Sequence, residues 1–175
     1  MSTAPVKRNN LTDSYLLYYS GEHVWYETHM FFQAAAAMLS GTALHSPSAE
    51  LLFLVRNATV EAFGFHLRNL LDFFRPDRKE PRDTDVLAAD FFDGKRLPGD
   101  FPELSPLAVS ARARANKELA HLTTERKRAS DPERAWPVKE LREEMLGLVK
   151  HFVQSASPSK LDSGYITQVK QLLNL

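Results

Sequence analysis

The chain predicts an all-α fold, an up-and-down bundle of four to five main helices. Three observations carry this: no segment alternates apolar and polar residues at the period of a strand, Ser-Pro pairs stand where helices should start, and the long segments between breaks repeat apolar residues at helical spacing. A length of 175 residues with 43% hydrophobic content and 11 Phe suits one domain with a substantial core. The expected division is a disordered tail over 1–10 and a single helical domain over 11–175.

The first helix is expected over 11–39, with a break at Ser20-Gly21 and with Val24, Thr28, Phe31, Phe32, Ala35 and Leu39 on one side. "HSPSAE" then stops it and starts the next, because Ser46 can cap while Pro47 takes the first helical position. The second helix is expected over 49–75, ending before Pro76. It is apolar around most of its girth, which predicts a central helix. Its polar strip is Asn57, Glu61, Gly64, Arg68, Asp72 and Arg75.

Residues 76–104 hold Pro76, Pro81, Pro98 and Pro102, with "DVLAADFF" between them as a short helix anchored by Phe91 and Phe92. So long a connection is either a lid or a packing arm. "SPLAV" starts a third helix over 106–128, and "SDPERAWP" breaks the chain again. A fourth helix over 137–154 has a clean stripe of Val138, Leu141, Met145, Leu148 and Phe152. After "SASPSK" a last short helix carries Leu161, Ile166, Val169 and Leu173.

Zero cysteines exclude disulfides and thiolate metal sites, and no apolar run is long enough to cross a bilayer. "MSTAPVKRNN" does not read as a signal peptide, so a soluble cytoplasmic protein with no membrane partner is expected. With 22 basic and 22 acidic residues, affinity for a polyanion has to come from a local patch. "RARANKELAHLTTERKR", residues 112–128, is such a patch: Arg112, Arg114, Lys117, Arg126, Lys127 and Arg128 stand against Glu118 and Glu125.

Within that stretch Arg114 and His121 lie about two helical turns apart and share a face. Ala115, Leu119 and Leu122 form one apolar side of the helix, while Val109, Ala113 and Ala120 form a small-residue side nearly opposite. Arg114, Lys117, Glu118 and His121 occupy the arc between. The plain reading is a solvated strip with Arg114 and Glu118 as an i,i+4 pair. Two features point beyond it: His121 is flanked by Ala120 and Leu122 rather than by charge, and the small-residue side suits close packing against a second helix.

An arginine, six residues and a histidine on a late helix of a small all-α bundle resembles the motif of the HEPN (higher eukaryotes and prokaryotes nucleotide-binding) superfamily. "RANKELAH" is similar to the form seen in its abortive-infection and toxin-like members. The resemblance implies a HEPN-like bundle that pairs as a homodimer, so that two motif helices build one cleft. It also implies a metal-independent endoribonuclease of a toxin–antitoxin or phage-defence system, with RNA as substrate and an antitoxin protein as a possible partner. Under that resemblance Arg114 and His121 are catalytic: His121 moves a proton at the 2′-hydroxyl or the leaving 5′-oxygen while Arg114 holds the phosphate, with no cofactor required.

Supporting roles fall to Asn116 and Lys117 on the motif helix and to Glu61 and Arg68 on the earlier helix, and RNA contacts to Arg126, Lys127 and Arg128. The chain departs from the pattern in two places. Ala115 follows the arginine where many members carry Asn, Asp or His, and Thr123 stands where some carry tyrosine.

Two alternatives stay open. One is a catalytically inactive helical dimer that binds RNA or a partner protein. The other is a metal-binding bundle resembling the DinB-like fold, with His23, Glu27 and His66 as ligands. His66 falls on the apolar side of the second helix, where a satisfied core histidine is the plainer reading.

Overall fold

The computed structural model describes residues 5–40, 48–77, 80–118 and 135–174. Among them the chain is all-helical, with no strand. The helices are α1 (Asp13–Tyr19), α2 (Trp25–Ser40), α3 (Ala49–Phe74), α4 (Pro106–Glu118), α5 (Val138–Ser155) and α6 (Ser163–Leu173).

The break expected at Ser20-Gly21 is a π turn, Ser20–Val24, that carries α1 into α2 without interrupting the helix. Ser20 is fully buried there, its hydroxyl donating to the Leu17 carbonyl at 2.9 Å and accepting from the Asp162 amide at 3.0 Å. A side chain at Gly21 would meet the Asp162 carboxyl at 3.3 Å, so a glycine lets the turn approach the start of α6. Asp162 in turn caps α6 by accepting from the Tyr165 amide.

α2 and α3 lie antiparallel, as the pairs Glu27 with Asn69 and Phe31 with Phe63 show. α4 packs on α3, while α5 and α6 close over α2. The core joins Phe31, Phe63, Leu67, Phe74, Phe91, Phe152 and Tyr165, all less than 2% exposed.

α3 begins and ends close to the expected limits, but only its second half is central. Its buried residues run from Phe63 to Phe74, whereas Leu51, Phe53 and Leu54 are exposed. A helix of 26 residues is about 39 Å long, and among the described residues its fully buried positions span only its second half. The sequence shows that α3 is apolar around most of its girth but not how far its neighbours reach along it.

The connection over 76–104 is a packing arm. Short 3-10 turns at Ala88–Phe91 and Asp93–Lys95 seat Ala88, Phe91, Phe92 and Phe101 in the core. The arm also holds the chain's start. Asp90, fully buried, accepts from Arg8 Nε at 3.1 Å and from the Leu87 amide at 2.9 Å, with Arg8 Nη2 3.1 Å away. The stretch 1–10 reads as a tail in sequence, but its described part is tied down through Arg8, because a carboxylate sealed in the core needs a cation.

Candidate functional site

α4 buries one face, Ala108, Ala111, Arg112 and Ala115, and presents the rest. Arg112 therefore leaves the expected basic patch. Only 6% exposed, it donates to the Arg75 carbonyl at 2.6 Å and pairs with Asp72 at 3.6 Å and Asp77 at 3.3 Å, fastening α4 to the end of α3.

Arg114 and Lys117 turn outward along a groove of about 380 Å³ bounded by Ser110, Ala113, Glu118 and Trp136. The Arg114 guanidinium lies over the Trp136 ring, 4.2 Å from its centroid. Its Nε donates to Glu118 at 2.8 Å and its Nη1 to the Ala135 carbonyl at 3.1 Å. The i,i+4 pair read from sequence is thus present, and the stack on an indole 22 residues further along the sequence holds the guanidinium further. His121, Arg126, Lys127 and Arg128 lie outside the described residues, as does Ala120. Val109 and Ala113 are exposed on the single chain.

Asn116 points to the other side of α4, into a cleft of about 490 Å³ along the outer face of α3. One wall of the cleft is the end of α1, the π turn and the start of α2, contributing Tyr19, His23, Tyr26 and Glu27. The floor is α3, with Arg68, Asn69, Asp72 and Phe73, and the end wall is the arm at Arg82–Leu87. Two consecutive residues, about 100° apart around the helix, thus face different hollows: Lys117 faces the groove and Asn116 faces the cleft. Arg68 joins Asn116 in the cleft. Glu61 is exposed about two turns further along α3 and lines neither.

Glu27 is the best-fixed side chain of the cleft. His66 Nδ1 lies 2.7 Å from its Oε2, and Asn69 Nδ2 donates to both its oxygens at 3.2 Å. His66 itself is 4% exposed, edge-on to Tyr26 and Phe65, so it is the hydrogen-bonded core histidine of the plainer reading. Burial pushes the Tyr19 hydroxyl up, and the charges of Tyr15, Glu27 and Asp85 add to that. Arg68 Nε is buried with no hydrogen-bond partner, its nearest carboxylate being Asp72 at 3.9 Å.

The metal alternative needs His23, Glu27 and His66 on one ion. Glu27 and His66 meet, but the His23 ring lies against Tyr19 at 4.7 Å, and no group of three or more His, Cys, Asp or Glu converges among the described residues. No described helix is long and apolar enough to cross a membrane.

Trp136 and Asn69 escape a reading by sequence. Trp136 sits in the break "RAWP", where an indole reads as packing, and Asn69 reads as one more polar residue beside Arg68. Each gains its role from a partner on another helix. Compared with known proteins, the chain matches no protein family, no curated protein and no solved structure.

Proposed function

We propose that the chain is a metal-independent RNA-cleaving protein of HEPN-like type, acting as a homodimer through the open face of α4. The observation that carries the reading is the Arg114 guanidinium, held over Trp136 and braced by Glu118 beside Lys117 in an open groove. A pre-set guanidinium meets phosphate without losing its rotamer freedom at the moment of binding. Arg114 holds the phosphate and His121, seven residues on in sequence, moves the proton, so that the ribose 2′-hydroxyl attacks and the 5′-oxygen leaves.

The test is cleavage of a broad RNA panel with EDTA present. Wild type should leave 2′,3′-cyclic phosphate ends, and His121→Ala should abolish cleavage with the thermal unfolding curve unchanged. Arg114→Lys should not rescue fully, since lysine lacks the planar fork. Equal cleavage by wild type and His121→Ala refutes the assignment.

A second reading has its own observation. Arg114 already donates to Glu118 and Ala135 and stacks on Trp136, which is also how a purely structural arginine is held. On that reading the chain is an inactive helical dimer that binds RNA or a partner protein. RNA binding without cleavage in both proteins would favour it.

A further inference from the structure

Arg114 is held in two ways that bear differently on a phosphate. Trp136 holds it through its ring, 4.2 Å from the guanidinium carbon, and an indole has no hydrogen-bond acceptor, so this hold takes none of the N–H donors. Glu118 and Ala135 hold it through those donors. Nε donates to Glu118 Oε2 at 2.8 Å and Nη1 donates to the Ala135 carbonyl at 3.1 Å. A phosphate gripped bidentately takes two adjacent nitrogens, either Nε with Nη2 or Nη1 with Nη2, so each of these forks already has one member engaged. Glu118 is the partner that has to yield. Ala135 offers a neutral oxygen fixed in the main chain beside Trp136, whereas Glu118 offers a carboxylate on a side chain that can change rotamer. Left in place, that carboxylate would face the phosphate across a single guanidinium as a second anion.

We propose that Glu118 is a built-in competitor at the Arg114 groove: its carboxylate occupies the guanidinium, and an RNA phosphate has to displace it. The proposal rests on the RNA reading of α4 and adds a regulation to that site. The charge that braces Arg114 therefore also limits how tightly RNA binds. The pair is more than a loose surface contact, because the side chains of Arg114 and Glu118 are only 15% and 17% exposed, and salt screens a partly buried pair weakly. Trp136 carries no such penalty, since it steadies the guanidinium without an anion.

The test is fluorescence anisotropy of the full chain with a labelled 2′-O-methyl RNA of mixed sequence, which has no 2′-hydroxyl to attack and so reports binding alone. Glu118→Gln keeps an oxygen for Nε but loses the charge, and should bind about threefold more tightly than wild type or better. Glu118→Ala should gain in the same direction but by less, because the brace is lost with the charge. The gain has to run through Arg114, so in an Arg114→Gln background Glu118→Gln should leave binding unchanged. Thermal unfolding of each variant checks the fold. The proposal is overturned if Glu118→Gln binds more weakly than wild type, or if its gain persists without Arg114, since Glu118 then repels RNA as an ordinary surface charge. Equal, measurable binding by wild type and Glu118→Gln overturns this proposal alone. Absence of binding in both overturns the RNA reading of α4 and this proposal with it.

Discussion

Two arginines that read alike in sequence do different work. Arg112 and Arg114 are two residues apart on α4, a separation that turns them to different sides of the helix, one against Asp72 and Asp77 and the other over Trp136. Arg8 is a third case, reaching the buried Asp90 from a stretch that reads as tail. Removing it strands a carboxylate in the core. Arg8→Ala should therefore cost about 3 kcal/mol in urea unfolding, and adding Asp90→Asn should restore part of that, because a neutral amide is cheaper to leave buried. An Arg8→Ala protein as stable as wild type would show that the pair carries no weight.

At the scale of elements, α3 and α4 each expose apolar residues along one face among the described residues. On α3, Leu51, Leu54, Ala58 and Phe65 are exposed along one stripe, spaced by threes, fours and sevens. On α4, Val109 and Ala113 are exposed beside the Arg114 groove. The proposed dimer uses the second face, where small residues let two backbones approach. Ala113→Glu should accordingly yield monomers in light scattering at micromolar concentration, while Leu54→Glu should leave the dimer intact. A monomeric wild type, or dissociation by Leu54→Glu alone, would rule out pairing through α4.

At the scale of the whole molecule, the core depends on tyrosines kept neutral. Tyr165 is fully buried and Tyr19 partly so, and burial raises both hydroxyls above the ordinary value. A group whose folded value is raised contributes stability that is complete below the unfolded value and is lost as pH rises through the folded one. Stability should therefore be unaffected by these tyrosines near neutrality and should fall above about pH 10, where tyrosine in the unfolded chain ionises. Tyr165→Phe should flatten that alkaline fall in thermal unfolding. An alkaline limb identical to wild type would place the loss elsewhere.

The sequence by itself determined the helical class, the start of α4 at Pro106, and the stripes of α5 and α6, since local capping and periodicity set these; it put the start of α3 near Ala49, but the cap there is Ser48, accepting from the Leu51 amide, and not the expected Ser46. It also paired Arg114 with Glu118, a contact one helix turn long. Only the tertiary structure decided that Asn116 and Lys117 face different hollows, that Arg112 is buried, that Glu27 is fixed by α3, and that Leu51, Phe53 and Leu54 in the first half of α3 are exposed. Each of these depends on which helix lies alongside and how far it extends, and a helical period gives a residue's direction but not what it meets there.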